Sequence, residues 1–414
     1  YIYTGQIDYT CTTPLPGGIG NISSDPAFAN PGAGDFRLFF ASPCINAGTN
    51  QLWVWGAFDL DGNPRIQEGA VDMGCYEAPA SINEPDMVLI PGGGQPNGPA
   101  YDYHISQFEI SNAKFVMFLN NAKANQGNER GTNMGFNNAN GDVFMDPGML
   151  GTEKLFSIAN MNIGVQSGIT YDTNTLTYAT VPGKENHPVV GVSWFGALKF
   201  CNWLTIDSGR GVGERCYMEG VAPSDWKPVT AATWPTFTPV ERDQWIADFD
   251  GFRLPMDDYV GMASAKNEFY KAAAWDGATN RIFGFGRDSI TAADANYNAE
   301  NWTDKTTPQG YYDGINLTLA GSNTVDTANW YGLYDLSGNV AEWQSDTWAS
   351  NSLTARALRG GYFASIPNDC RTDTRLSDAP ELTSERVGFR VVSSFPRGSG
   401  PGPMEYFVIT GLPS

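Results

Sequence analysis

The sequence predicts an α+β protein of short strands, a few helices and long ordered loops, with a small all-β region at its beginning. Three observations lead to this prediction. Glycine (47) and proline (26) are frequent among the 414 residues. Only 17% of the residues are charged while 41% are apolar, which is typical of a folded globular chain rather than a disordered one. Apolar residues at helical spacing are almost absent from residues 1–80 and occur only in later segments.

Three later segments carry apolar residues at helical spacing. Ser111 stands as an N-cap before the first segment, residues 111–119, and Ser193 stands before the second, which carries Trp194 and Leu198 on one side. The third segment is predicted across residues 267–275. The long Asn-, Gly- and Trp-rich stretches between these helices are too long to be simple connectors, so bound cations are one candidate for ordering them.

The charge balance excludes several function classes. With 25 Lys and Arg against 45 Asp and Glu, the net charge is −20. An acidic chain lacks the basic surface that nucleic acids and anionic membranes require. No apolar stretch approaches the roughly 18 residues of a membrane helix, so we expect no membrane insertion. Excess carboxylates favour calcium, although they also serve to keep a protein in solution.

The six cysteines indicate structural disulfides outside the cytosol. They are widely spaced and form no CxxC pair, a pattern unlike a zinc site. Of the possible disulfides, we predict the one between Cys201 and Cys216 first, because only fifteen residues separate the two cysteines. The chain begins at Tyr1 without a methionine, from which we expect a processed product or a piece of a longer chain.

The first 80 residues contain several short motifs, namely "GNISSDPAF", "GDFRL", "SPCINAG", "DLDGNPRI" and "VDMGCYE". Together they resemble the terminal coils of the right-handed parallel β-helix in large bacterial surface proteins. The resemblance implies a secreted, cell-surface location in a bacterium and a staple between Cys11 and Cys44. Asx-turns suit residues 59–63 better than calcium, because the bidentate Glu of an EF-hand is missing. Residues 81–86 are a linker.

A second set of segments, in order and over about 300 residues, resembles the formylglycine-generating-enzyme (sulfatase-modifying factor) family. The resemblance implies a C-type-lectin-like fold with much irregular chain over residues 87–396. Insertions fall between Cys201 and Phe252 and between Pro255 and Asn267. The segments are "MVLIPGG" (87–93), "FEISNAKFVMFLN" (108–120), "HPVVGVSWFGALKFCNWL" (187–204), "FRLP" (252–255), "NEFYKAAA" (267–274), "YGLYDLSGNVAEW" (331–343), "LRGGYF" (358–363) and "VGFRVV" (387–392).

The resemblance implies about two calcium ions. Carboxylates and inward-turned carbonyls are the oxygen ligands that calcium prefers. The alternative is that these residues form turns and salt bridges. The first site would use the side chains of Asp335 and Glu342 and the carbonyls of Gly338 and Val340. The second would use the side chains of Asn296 and Asp313 and the carbonyls of Tyr297 and Ile315.

The same resemblance argues against the family's copper chemistry. Its enzymes hold copper between two cysteine thiolates, and the matching positions here are Ser365 and Cys370. Because a hydroxyl is a poor ligand for Cu(I), we expect no copper and treat both positions as degenerate. Ala341 and Asp369 also replace a usual Trp and Tyr. With only His104 and His187, the chain has too few histidines for the non-haem iron site of other relatives.

Two function classes follow. The first is a secreted, non-catalytic binding or structural protein with a carbohydrate or protein ligand. Its candidate ligand surface is Tyr362, Phe363, Asp369, Arg371 and Arg375. A Gly/Pro linker and a strand-like run within residues 397–414 also suggest a homo-oligomer or filament. The alternative is a copper-dependent formylglycine-generating oxidase or related oxidoreductase.

Overall fold

The fold comes from a computed structural model, which divides the chain into two compact units. One combines Tyr1–Glu84 with Thr205–Gly213, and the other combines Pro85–Leu204 with Glu214–Ser414. The structure describes residues 7–26, 28–30, 35–38, 42–45, 47–54, 56–60, 65–66, 71–77, 85–93, 98–146, 153–158, 168–230, 239–257, 267–298, 305–347 and 355–394.

These ranges hold short strands and four α-helices, which is the mixed α+β composition predicted from the sequence. The helices are α1 (Asn112–Ala124), α2 (Trp194–Asp207), α3 (Pro239–Asp248) and α4 (Glu268–Ala274). The strands are β1 (Phe28–Asn30), β2 (Asp35–Leu38), β3 (Met87–Ile90), β4 (Tyr103–Ser106), β5 (Gly135–Phe136), β6 (Val143–Phe144), β7 (Lys154–Phe156), β8 (Ile169–Asp172), β9 (Thr177–Thr180), β10 (Tyr217–Met218), β11 (Lys227–Pro228), β12 (Phe252–Arg253), β13 (Ala341–Thr347), β14 (Arg356–Arg359), β15 (Leu376–Asp378), β16 (Val387–Gly388) and β17 (Val392–Ser393).

The three predicted helices are confirmed, and their caps explain where they begin. The Ser111 side chain accepts from the Lys114 amide at 3.3 Å at the start of α1. Ser193 accepts from the Gly196 amide at 3.1 Å before α2, and Asn267 caps α4. Helix α3 was missed, because it lies in the segment interpreted only as an insertion between Cys201 and Phe252.

Two four-stranded sheets dominate the second unit. The first has the order β12-β17-β4-β3 and is antiparallel throughout. The second has the order β15-β14-β13-β16, in which only the β13–β16 pair is parallel. A three-stranded sheet, β5-β6-β7, and the hairpins β8-β9 and β10-β11 lie elsewhere in this unit.

In the first unit, the strands β1 and β2 form an antiparallel hairpin that pairs Phe28 with Leu38. A parallel bridge joins Cys11 to Ile22. The parallel β-helix coils expected over residues 1–80 are not seen among the described residues. They therefore stay a prediction.

The main core of the second unit is aromatic and lies between α1 and α2. Phe115 of α1 stacks on Phe200 of α2 with ring centroids 5.8 Å apart, and Phe389 meets both rings edge-on. Phe118 and Trp203 extend the cluster at 5.3 Å. These buried rings hold the two helices together in the core. Within the described ranges, no helix has both the length and the apolar character of a membrane span.

A buried ion pair fixes the start of α4. Arg253 of β12 donates to both oxygens of Glu268, at 2.5 and 2.8 Å. Glu268 also accepts from the Met256 amide at 2.8 Å and from the Tyr101 hydroxyl at 3.0 Å. Because neither charged side chain is more than 1% exposed, removing one partner leaves an uncompensated charge in the core.

We therefore expect Glu268→Gln to lower the free energy of unfolding by about 3–5 kcal/mol, measured by urea denaturation. Glu381→Gln, at an exposed carboxylate, is the matched control and should change it by less than about 0.5 kcal/mol. A loss below about 1 kcal/mol for the buried variant would mean that solvent screens the pair as it does on a surface.

Candidate functional site

One cavity of the second unit lies against the sheet β15-β14-β13-β16 and has a volume of about 390 Å³. Its apolar lining comes from the sheet. Its charged lining comes from the segments that follow β14 and β15 and from Asp378 at the end of β15. Both signs of charge are represented equally. The lining residues are Ala341, Leu358, Tyr362, Asp369, Arg375, Leu376, Ser377, Asp378, Arg386 and Val387.

Three of the five residues of the predicted ligand surface lie together in this cavity: Tyr362, Asp369 and Arg375. Phe363 is buried at 3% exposure. Arg371 is not among the lining residues and instead pairs with Asp373 through two bonds of 2.8 and 2.7 Å. Three residues of the predicted surface thus line one cavity and two do not, and ligand binding there stays a prediction.

Arg386 and Asp378 complete the charged lining and were missed as site residues. The Arg386 guanidinium lies over the Tyr362 ring, 5.5 Å from its centroid, and its Nε donates to the Ser384 hydroxyl at 3.4 Å. A hydrogen bond to Tyr362 raises the pKa of Arg386. Both residues lie in the same stretch of chain as the predicted ligand surface, yet no motif marks them there.

The buried carboxylate of Asp257 holds the Arg375 guanidinium in place. The Nε of Arg375 donates to Asp257 at 2.6 Å, and one terminal nitrogen donates to the Asp257 carbonyl at 3.0 Å. Arg359 and Asn267 bind the other Asp257 oxygen. Burial opposes ionisation of Asp257, but the two arginines outweigh it and hold its pKa below the usual value. Arg375 therefore lines the cavity as a fixed cation.

The two degenerate copper positions are occupied by groups with other partners. The Ser365 hydroxyl is buried and accepts from the Tyr362 amide at 3.1 Å, which closes a tight turn. The Cys370 thiol lies among Phe283, Phe285 and Ala295 in an apolar cluster. Burial raises its pKa to about 12, so it remains a protonated thiol at neutral pH. With a hydroxyl engaged in a turn at one of the two positions, the pair supplies at most one sulfur ligand, which does not fit the two-thiolate site for Cu(I).

The first predicted calcium set lies in a buried acidic cluster that already contains a cation. Both oxygens of Glu342 accept from Arg390, at 2.6 and 2.7 Å. Asp335 accepts from the Gly310 amide at 2.7 Å, and burial raises its pKa to about 6. Burial also raises the pKa of the neighbouring Glu109 well above its usual value. The pairing of Arg390 with Glu342 is what the salt-bridge alternative predicts, and calcium at this set stays a prediction.

In the second predicted calcium set, one ligand, Asn296, suits a calcium ion. Asn296 is 2% exposed, and its amide nitrogen donates to the Lys305 carbonyl at 2.6 Å. Its side-chain oxygen is buried and has no hydrogen-bond partner among the described residues. Asp313 is partly exposed and closes an Asx-turn by accepting from the amides of Ile315 and Asn316 at 2.8 and 2.9 Å.

Two further features bear on the metal predictions. Among the described residues, no three His, Cys, Asp or Glu side chains are grouped to hold a metal ion. A cation near Asn296 and Tyr297 would therefore depend on amide and carbonyl oxygens. His187 is buried and its Nδ1 lies 2.9 Å from the Thr306 hydroxyl, in keeping with a structural role.

The candidate disulfides appear as neighbouring thiols. Burial and a hydrogen bond to Cys11 raise the pKa of Cys44 to about 11. Burial raises the pKa of Cys201, and the nearby Cys216 raises it further. No cysteine pair is at bonding distance, so the structure contains neither predicted disulfide. The proximity within each pair agrees with the choice of partners, and their oxidation stays a prediction.

Comparisons with known proteins show the family to which this chain belongs. Residues 74–395 match the family model described as "Sulfatase-modifying factor enzyme 1-like domain". A mouse (Mus musculus) protein named "Inactive C-alpha-formylglycine-generating enzyme 2" is 37% identical over 81 residues, 18% of this chain and 26% of its own. The "Serine/threonine-protein kinase pkn1" of Chlamydia caviae is 25% identical over 225 residues, 50% of this chain and 24% of its own.

The chain thus spans about a quarter of the length of these curated relatives. Among solved structures, the crystal structure of CarF is 18% identical with a TM-score of 0.45, over 76% of this chain and 100% of that one. The family match alone covers more than three quarters of the chain. The chain therefore belongs to the family of sulfatase-modifying factor enzyme 1-like domains, the formylglycine-generating-enzyme family.

Proposed function

We propose that this protein is a secreted or cell-surface ligand-binding protein that has kept the family scaffold without its copper chemistry. The observation that carries the proposal is the combination of a cavity of about 390 Å³ with unsuitable copper positions next to it in sequence. Ser365 and Cys370 supply no thiolate pair. The cavity nevertheless keeps an aromatic ring, four charged side chains and an apolar lining, which are the components of a binding site.

The lining indicates a ligand with an apolar body and polar groups of both kinds. Leu358, Leu376 and Val387 offer apolar surface, while Tyr362 offers a ring face beside the Arg386 guanidinium. Asp369 and Asp378 supply acceptors, and the two arginines supply donors. A peptide segment or a carbohydrate has this mixture of apolar faces and hydrogen-bonding groups.

Ala341 lines this cavity at a position where the family usually carries Trp. Its side chain is 2% exposed and lies in β13, one residue before Glu342. A methyl group here leaves room that an indole would fill. We infer that the exchange of Trp for Ala enlarges the binding cavity.

We expect Ala341→Trp to fill the cavity and weaken binding by at least about tenfold, or 1.4 kcal/mol. The measurement is the binding of labelled wild-type and variant protein to peptide and glycan arrays, with the positive probes titrated by calorimetry. Arg371→Ala, on the same segment but not lining the cavity, is the control and should bind like the wild type. Equal binding by Ala341→Trp would disprove this location for the site.

Calcium is the second part of the proposal, and the buried oxygen of Asn296 supports it. Calcium in excess, at about 100 times its dissociation constant, should raise the free energy of unfolding by about 2.7 kcal/mol, and EGTA should reverse the gain. Asn296→Ala should abolish most of this difference in thermal melts. Asn368→Ala, at an exposed amide, should retain it. A melting temperature indifferent to calcium would contradict the proposal.

The remaining expectations have no support from the described residues. A secreted bacterial location rests on the motifs of residues 1–80. Assembly into filaments rests on residues 397–414, which lie outside the described residues. Copper-dependent oxidation of a cysteine peptide is the alternative function, and stoichiometric copper in the native protein would revive it.

A further inference from the structure

Helix α2 contains a lysine in the middle of a mostly apolar, fully buried stretch. Every residue from Trp194 to Ile206 is buried, and Lys199 has no exposed surface. Lysine is almost never fully buried, because the removal of an ammonium group from water is costly unless the group is paired. A lysine at this position therefore needs a partner or a chemical role.

A single carboxylate holds this lysine next to an asparagine of the same helix. One oxygen of Glu219 accepts from the Lys199 Nζ at 2.5 Å, and the other accepts from the Asn202 Nδ2 at 2.8 Å. Lys199 and Asn202 are three residues apart, so their side chains are neighbours on one face of α2. The amine and the side-chain amide thus meet at the two oxygens of the same carboxylate.

The Asn202 amide is held in one orientation by the backbone of β10. Its Nδ2 also donates to the Tyr217 carbonyl at 2.8 Å, and its Oδ1 accepts from the Tyr217 amide at 3.2 Å. These two bonds distinguish the side-chain oxygen from the side-chain nitrogen. The Tyr217 N–H is also placed to stabilise negative charge on Oδ1, which develops when a nucleophile attacks the amide carbon.

The surroundings of Lys199 favour its neutral amine. Burial lowers the pKa of Lys199, although the Glu219 carboxylate partly offsets this effect. Transfer of one proton from Nζ to Glu219, along the hydrogen bond of 2.5 Å, gives a neutral amine beside a carboxylic acid. The neutral amine is a nucleophile, and the acid is a proton donor. Nζ also donates to the Glu129 carbonyl at 3.3 Å, which restricts its position.

We propose that Lys199 and Asn202 join in an isopeptide bond, with Glu219 as the proton carrier. The Lys199 Nζ attacks the Asn202 Cγ and forms a C–N bond, and the bond between Cγ and Nδ2 breaks. The ammonium group of Lys199 loses two protons through Glu219. One proton leaves with Nδ2 as ammonia, and the other stays on Glu219. The reaction consumes no oxidant and no further reactant.

The reaction removes an ion pair from the core. Before it, the side chains of Lys199 and Glu219 carry opposite charges and are 0% and 2% exposed. After it, the site contains a secondary amide and a carboxylic acid, so the desolvation of two charges no longer opposes folding. The exclusion of water protects the reacting amide from hydrolysis. The product closes one turn of α2 covalently. It involves no residue that lines the cavity, so it goes beyond the proposed ligand-binding function.

Tryptic digestion of the purified full chain, after denaturation and reduction, tests this proposal by mass spectrometry. Trypsin cuts after Lys and Arg, and the sites in this region are Lys184, Lys199 and Arg210. We expect the peptide of residues 185–210 to remain uncut after position 199 and to lack the mass of one ammonia molecule. Fragmentation should place this loss between Lys199 and Asn202.

Two results with the wild-type chain would overturn the proposal. The first is release of residues 200–210 at their full mass, which means that Lys199 and Asn202 are not linked. The second is release of residues 200–210 without one ammonia, which means that Asn202 has cyclised on its own backbone. Lys271 is an internal control for complete digestion. It is also buried, but it donates to the carbonyls of Pro91 and Pro99, so trypsin should cut after it.

Two variants separate the reaction from a purely structural ion pair. Lys199→Arg keeps a cation opposite Glu219 but removes the amine nucleophile, so trypsin should cut after position 199 and no ammonia should be missing. Glu219→Gln removes the proton carrier, so Lys199 should be cut in this variant as well. Loss of ammonia that persists in Lys199→Arg would assign it to another asparagine and overturn the proposal. If a variant fails to fold, the digestion of the wild-type chain still decides the question.

Discussion

The buried pair between Glu342 and Arg390 is the interaction on which the second unit most depends. Glu342 belongs to β13 in the centre of one four-stranded sheet, and Arg390 lies between β16 and β17. Besides its two bonds to Glu342, Arg390 donates to the carbonyls of Ser106 at 3.1 Å and Tyr334 at 3.0 Å. One guanidinium thus connects both sheets and the loop before β13. Neither side chain is exposed, so each is stable there only because the other is present.

The same pair lies within a larger hydrogen-bond network that holds the family scaffold together. Residues 335–340 lead into β13. The Asn339 side-chain oxygen accepts from the Thr307 amide at 2.9 Å, and its side-chain nitrogen donates to Glu109 at 3.2 Å. This network is satisfied by the protein's own donors and acceptors. The cavity is built on the adjoining strands, beginning with Ala341.

Much of the fold was predictable from the sequence, because local signals mark the elements that build it. Ser111, Ser193 and Asn267 mark three helix starts, and the aromatic spacing marks the face that each helix buries. The pairing of Glu342 with Arg390 was not predictable, since 48 residues separate them and the resemblance assigned Glu342 to calcium. For the same reason the ligand surface predicted from the sequence omits Arg386. This residue lies over the ring of Tyr362, which is 24 residues earlier in the chain. Contacts between residues far apart in the sequence decide these roles, and the spacing of residues within one segment does not indicate such contacts.

The cavity differs in charge from the protein that contains it. Its lining holds Asp369, Asp378, Arg375 and Arg386, so its formal charge is zero although the chain carries −20. The acidic excess therefore lies outside the cavity, where it supports solubility and opposes association. Long-range attraction selects for the sign of a ligand's charge, whereas a balanced lining selects for the position of its donors and acceptors. Recognition at this site consequently depends on close complementarity, which is the property that fixed arginines such as Arg375 on Asp257 provide.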